Sequence, residues 1–325
     1  TTIKQKRIKM LPNFVHAGVP KSGSGTFRWI FKHHPEIYVP KVKEQNFFNL
    51  DRSYKKGLNW YEATHYKQTG NATAVGDLSI GYSTGLGIRA PERIYQSLGE
   101  GVKIIFTFRH PVDRAYSQYC MARNKGQFES SSFCNAVKSA LAVKEDYSYD
   151  TIERLQTGSY YSDAKDLEIY RNCMYLYPGL YNSILNNYLK FFDRQNILCL
   201  FSDDISSNLQ REANRVFEFL GVEEMTVPND LRLNQSTTTS NSKMVKIANI
   251  FYQNRLIRTI WNDLLPYGTR KRLKRVLISR HYTTNSDRDP IDRETATLLQ
   301  NYYRNDMLQL AKTTGKNLDE WQSRY

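Results

Sequence analysis

A chain of 325 residues with 40% hydrophobic and 24% charged side chains can bury a large core, which excludes a disordered polymer. The net charge of +14 fits a polyanion or an anionic small ligand, and no apolar run is long enough to cross a membrane. Cys120, Cys134, Cys173 and Cys199 form no Cys-x-x-Cys pair, so no metal site is expected, and so few cysteines favour a reducing compartment.

The basic stretch Thr1 to Met10 lacks the apolar segment of a signal peptide. Phe14 to Val19 reads as a buried strand, and Pro20-Lys-Ser-Gly-Ser-Gly-Thr26 as a tight glycine-rich turn. A helix over Thr26 to His34 follows, because Phe27, Ile30, Phe31 and His34 fall at i, i+3, i+4 and i+7. Val102 to Phe108 is a near-continuous apolar run, as in a strand buried on both faces. Pro111 suits the first turn of the next helix, whose apolar face is Val112, Ala115, Tyr116 and Tyr119. Ile197 to Phe201 is a further strand. Leu209, Ala213, Val216, Phe217 and Leu220 stripe a helix that Gly221 stops. A last helix covers Arg293 to Thr313, marked by Leu298, Leu299, Tyr302 and Tyr303.

Strand–helix alternation of this kind predicts an α/β fold, a doubly wound parallel sheet flanked by helices. Ligands of such sheets bind beyond the C-terminal ends of the strands, where Lys21 and Arg109 fall. The segments at about 123–178 and 237–292 are irregular and rich in Ser, Tyr, Asn and charge. They read as lid or acceptor-site insertions within a single domain spanning 1–325. The basic cluster at 255–280 is either a polyanion surface or a solvated helix face.

The turn carries the chemistry. Gly23 and Gly25 let backbone approach an anion, Ser22, Ser24 and Thr26 add hydroxyl donors, and Lys21 adds a point charge. Such a turn at a helix N-terminus is a phosphate site. It is not a Walker A loop, because the lysine precedes the glycines instead of standing before the final Ser/Thr. A nucleotide kinase or ATPase is therefore disfavoured. Gly-x-Gly-x-x-Gly is also absent, which argues against a dinucleotide site.

Pro-Lys-Ser-Gly-Ser-Gly-Thr after a strand resembles the 5′-phosphosulfate loop of sulfotransferases, which read Pro-Lys/Arg-Ser-Gly-Thr-Thr or Lys-Gly-Gly-Thr. Ser24-Gly25 stands at the place of the two threonines, with Thr26 one step later. Arg109-His-Pro-Val-Asp-Arg-Ala-Tyr-Ser-Gln-Tyr119 matches every fixed position of the family's Arg-x-Pro-x-x-Arg-x-x-Ser-x-Tyr. Lys43-Glu-Gln-Asn-Phe-Phe48 resembles the Lys-Glu-x-x-Phe-Phe segment of the heparan-sulfate-type branch. Gly57-Leu-Asn-Trp-Tyr61, Gly76-Asp-Leu-Ser-Ile-Gly-Tyr82, Leu233-Asn-Gln-Ser236 and Gly315-Lys-Asn-Leu-Asp-Glu-Trp321 extend the likeness over most of the chain. Two positions depart: Leu78 replaces a lysine, so that branch's active-site cation is missing or supplied elsewhere, and Gly81 replaces a small residue.

The resemblance implies a P-loop-like fold and 3′-phosphoadenosine 5′-phosphosulfate (PAPS) as sulfuryl donor, leaving PAP, with no metal. It assigns Lys21, Ser22, Gly23, Ser24, Gly25 and Thr26 to the 5′ end, Arg109 and Ser117 to the 3′-phosphate, and Asn234 to the nucleotide. Lys243 is a candidate for a family lysine nearby, at a spacing that does not fix it. Glu44 becomes the general base, with Lys21 as second catalytic residue. His65 is the backup base, whereas His16 is expected to pack in the first strand, and Arg114 and Tyr119 to be structural. The acceptor expected is the hydroxyl or amine of a small secondary metabolite, in the cytoplasm, with neither nucleic acid nor membrane as partner. The alternatives are an anionic, heparan-type polysaccharide in the Golgi lumen and, more distantly, a P-loop kinase or a nucleic-acid-binding protein.

Overall fold

Alternate side chains of an extended strand point to opposite faces, so a strand apolar throughout must be covered on both. The computed structural model, which describes residues 11–124, 131–143, 151, 155, 164–228, 231, 238–239, 282–283 and 290–325, is built on that rule. β1 (Phe14–Gly18), β2 (Ile37–Tyr38), β3 (Ala74–Asp77), β4 (Lys103–Phe108) and β5 (Ile197–Phe201) form one parallel sheet in the order β2-β3-β1-β4-β5. Val15 pairs with Asp77 on one side and with Ile104 on the other.

Phe14 of β1 and Ile105 of β4 face one layer, with Phe27 and Phe31 of α1 (Ser24–His33) and Val216 and Phe217 of helix Leu209–Leu220. Val15, Ala17, Ile104, Phe106 and Phe108 face the other layer, which holds helices Ala90–Leu98, Pro111–Asn124, Tyr181–Leu189 and Arg293–Thr314. The expected doubly wound sheet is therefore present. Its strand order reverses at β1, between β3 and β4, and such a switch point opens a crevice at the strands' C-terminal ends.

Local signals act where they stand. Pro111 begins its helix. Gly221 takes φ 73° and ends its helix, its N–H bonding the Phe217 carbonyl at 2.8 Å. The last helix runs Arg293–Thr314, but its buried stripe is Leu299, Tyr303, Met307 and Leu310, while Tyr302 is exposed. Part of the first irregular segment departs from the lid expected. Helix Phe133–Leu141 buries Phe133, Ala136, Val137 and Ala140 in the main core, because these four recur at helical spacing. In the second, Thr238–Thr239 pairs antiparallel with Tyr282–Thr283. Asn234, Lys243 and the basic cluster 255–280 lie outside the described residues.

Candidate active site

The turn after β1 is tied to the centre of the sheet by the Val19 N–H, which bonds the Thr107 carbonyl at 3.0 Å. Lys21 then takes φ +72° and Gly23 φ +97°. The left-handed region costs a residue with a Cβ about 1–2 kcal/mol, so the surrounding structure holds Lys21 there. Gly23 is the N-cap of α1, with no side-chain cap and no acidic residue in the first turn. The leading N–H groups and the positive end of the helix dipole are thus left for an anion. A Cβ at Gly23 would meet nothing within 4 Å, so space stands open above the turn.

The helix begins two residues earlier than the apolar spacing predicts, at Ser24 instead of Thr26, because Gly23 in the left-handed region starts it. Ser24 and Gly25 are half-buried in the first turn, and Thr26 is buried behind them, its N–H bonding the Gly23 carbonyl at 3.0 Å. Ser22 Oγ is buried in the turn beside the Tyr181 phenol. Lys21 Nζ reaches across to Met121 Sδ at 3.8 Å, on helix Pro111–Asn124.

Arg109 leaves β4 on the other side of the crevice. Its carbonyl accepts the Tyr181 hydroxyl at 2.6 Å, so one tyrosine touches both arms of the site. The Arg109 guanidinium is half-buried and has no ion pair or hydrogen bond among the described residues. Ser117 is buried in the second turn of the following helix. Arg114, in the same motif, is fully buried and donates to the Met174 and Tyr175 carbonyls, while the Tyr119 hydroxyl donates to the Ser131 carbonyl at 2.8 Å. Both are built into the core, as expected.

The Lys43–Phe48 loop closes the crevice from the β3 side. Phe47 and Phe48 are fully buried, and Phe47 stacks on Tyr61 at 4.2 Å. Burying each is worth about 2–3 kcal/mol, which anchors the loop. Glu44 stands just before them at φ +59°. Arg28 of α1 donates to the Lys41 carbonyl at 2.8 Å and the Pro40 carbonyl at 3.3 Å, tying the loop to the phosphate-turn helix. Burial pushes the Glu44 carboxyl above the usual glutamate range; Lys43, at 3.6 Å, pulls it down and Asp77 pushes it up. A carboxyl so raised suits proton abstraction near neutral pH.

Three histidines are packed against other side chains. His16 is buried against Phe27 and Phe31, and burial lowers its pKa to about 4. His110 bonds the Trp321 carbonyl at 2.9 Å. His65 packs on Trp60, Tyr61 and Tyr66, and burial lowers its pKa too. Lys21 to Thr26, Arg109, Ser117 and Glu44 thus gather at the ends of β1, β4 and β3. Tyr181, at the end of the family-like Gly179-Leu-Tyr181 segment, joins them, as do Arg28, Asp77, Ser79 and Tyr82, none of them given a role from the sequence. Asp77 to Tyr82 lay inside a family-like segment, and that was the only signal for them.

A helix N-terminus left open at the switch point of a parallel sheet, faced by an arginine and a raised carboxylate, defines a P-loop-like anion-binding fold fitted for group transfer. The sulfotransferase domain family matches residues 11–259, and the chain belongs to that family. It is similar to heparan sulfate glucosamine 3-O-sulfotransferase 3B1 of Mus musculus, 27% identical over 234 residues, covering 70% of this chain and 50% of that protein. It is also similar to bifunctional heparan sulfate N-deacetylase/N-sulfotransferase 4 of Mus musculus, 26% identical, covering 98% of this chain and 32% of that one. The chain thus spans half or less of these two relatives' lengths. The crystal structure of a sulfotransferase from Alicyclobacillus acidocaldarius shares the fold, with TM-score 0.63, 18% identity and coverage of 96% of this chain and 99% of that one. Among the described residues no helix is long and apolar enough to cross a membrane.

Proposed function

We propose that this chain is a PAPS-dependent sulfotransferase acting on a hydroxyl or amine. The observation that carries the reading is the uncapped N-terminus of α1, with the Ser22 hydroxyl buried in its turn. These groups fit a phosphosulfate, and Arg109, whose guanidinium has no ion pair or hydrogen bond among the described residues, fits a second phosphate through a forked pair of hydrogen bonds. Ser22 to Thr26 hold the 5′ end, Arg109 and Ser117 the 3′-phosphate, and Asn234 is assigned to the nucleotide. PAPS, when bound, supplies the sulfuryl group. Glu44 takes the proton from the acceptor as it attacks, and Lys21 offsets charge developing on the leaving oxygen. Positioning and preorganised charge do the rest.

The acceptor proposed is a small molecule in the cytoplasm. Leu78 supports this, since it is buried in an apolar cluster where the heparan-type branch has a lysine. A polysaccharide acceptor is the second reading, favoured by the heparan sulfate relatives and the charge of +14. A PAPS-consumption screen against small hydroxyl and amine compounds and against heparan oligosaccharides, read by mass gain of one sulfuryl group, tests both. Gain on small molecules alone supports the first reading, gain on oligosaccharides alone the second, and no gain on either overturns the transferase assignment.

A further inference from the structure

The C-terminal end of β3 carries a carboxylate to which the mechanism above gives no task. Asp77 is fully buried and accepts three hydroxyl hydrogen bonds: Tyr61 at 2.5 Å and Tyr82 at 2.7 Å on Oδ2, and Ser79 at 2.5 Å on Oδ1. Two of these hydroxyls are relays. Ser79 Oγ accepts the Asn46 N–H at 3.0 Å, and Tyr82 Oη accepts the Phe47 and Phe48 N–H groups at 3.2 and 3.3 Å. A hydroxyl that accepts from an amide keeps its own proton to give, and both give it to Asp77. Three donors converging on one carboxyl call for the ionised, acceptor-only form, and bonds to a charged acceptor are the stronger ones. Burial pushes the Asp77 pKa up, and these three bonds oppose that rise.

Asn46, Phe47 and Phe48 are successive residues just after Glu44. The same docking recurs beside them. Gln45 Oε1 accepts the Leu78 N–H at 3.3 Å. A Cβ at Gly81 would meet Asn46 Oδ1 at 2.7 Å and Asn49 Nδ2 at 2.9 Å, so glycine there permits the loop's close approach. That accounts for Gly81, one of the two departures from the family pattern.

We propose that Asp77 is a positioning residue for the transfer reaction: through Ser79 and Tyr82 it holds the Asn46–Phe48 backbone and so fixes where the Glu44 carboxylate stands. This rests on the reading of Glu44 as base. Asp77 also shapes the field at that carboxylate. Glu44 is faced by Lys43 from its own loop, by Arg28 from α1 and by Asp77 from β3. Asp77 itself is faced by Tyr61, Tyr66, Tyr82 and, from helix Tyr181–Leu189, Tyr188.

Asp77→Asn keeps the shape and removes the charge. Three readouts apply: PAP affinity by calorimetry, titration of the Glu44 carboxyl by carbon-13 NMR, and turnover on the best acceptor from the PAPS screen. The Glu44 signal is assigned by its loss in Glu44→Gln. PAP affinity is expected to hold, Glu44 to titrate at lower pH, and transfer to fall about 100-fold, the scale of a 1 Å misplacement. Ser79→Ala and Tyr82→Phe keep the charge and are expected to slow transfer at unchanged PAP affinity; they decide the matter if Asp77→Asn does not fold. Transfer at the wild-type rate in Asp77→Asn, or in both relay variants if it is unfolded, overturns the proposal. So does a loss of transfer matched by loss of PAP affinity, which marks collapse of the strand ends. Wild-type transfer in Glu44→Gln instead overturns the base assignment itself.

Discussion

Arg109 and Arg114 belong to one sequence motif, yet the structure gives them opposite fates, and replacing each by alanine separates the two. Arg114 is fully buried and donates to two carbonyls. Arg114→Ala removes both bonds and leaves a cavity, at a cost of about 3–5 kcal/mol. For a domain of this size that lowers Tm by about 4–7 °C. Arg109 is half-buried, and its guanidinium has no partner among the described residues. Arg109→Ala therefore leaves Tm in place. It removes a forked, charge-assisted contact to phosphate worth about 1.5–3 kcal/mol, a loss of about 10- to 100-fold in PAP affinity. Calorimetry with PAP and thermal melts of both variants give the answer. Unchanged PAP affinity in Arg109→Ala, or an unchanged Tm in Arg114→Ala, refutes the division of labour.

Lys21→Ala is expected to remove most sulfuryl transfer while leaving Tm and circular dichroism unchanged; normal turnover would remove Lys21 from the mechanism. The acid limb of kcat/KM against pH is expected above the usual glutamate range, because burial raises the Glu44 pKa. Lys43 lowers it, so Lys43→Ala moves that limb to still higher pH, and a limb that stays put argues against the ion pair. His16 has its folded pKa lowered to about 4 by burial. The unfolded chain takes this proton first, so stability present above about pH 6.5 is lost as pH falls toward 4, by about 3 kcal/mol. Urea unfolding at neutral and acid pH is expected to show a smaller difference in His16→Gln than in wild type by that amount.

The parts of the site written in one stretch of sequence were legible. The turn from Lys21 to Thr26 could be read from its glycines, hydroxyls and lysine after a strand, whereas the Arg109 motif and the Lys43–Phe48 loop were read through their resemblance to sulfotransferase segments. What was missed comes from parallel pairing. Asp77 reaches the Glu44 loop because β3 lies parallel beside β2, with Tyr38 opposite Val75, so the chain leaving β2 passes the end of β3, a register no local pattern encodes. Tyr181 is brought to Arg109 and Ser22 across the same sheet, far along the chain. Sheet strands as short as Ile37–Tyr38 and Ala74–Asp77 offer too few residues for a periodic signal. The last helix shows the same limit in miniature. Leu298 and Tyr302 extend its apolar stripe on paper, but packing selects the Leu299, Tyr303, Met307 and Leu310 face.

A crystal structure determined with PAP bound tests most directly whether the uncapped α1 terminus and Arg109 hold the two phosphate ends of one nucleotide within reach of Glu44. The 5′-phosphate is expected on the Ser22–Thr26 turn, the 3′-phosphate against Arg109 and Ser117, and the Glu44 carboxylate facing the open 5′ end. PAP seated elsewhere, or its 3′-phosphate away from Arg109, would contradict it.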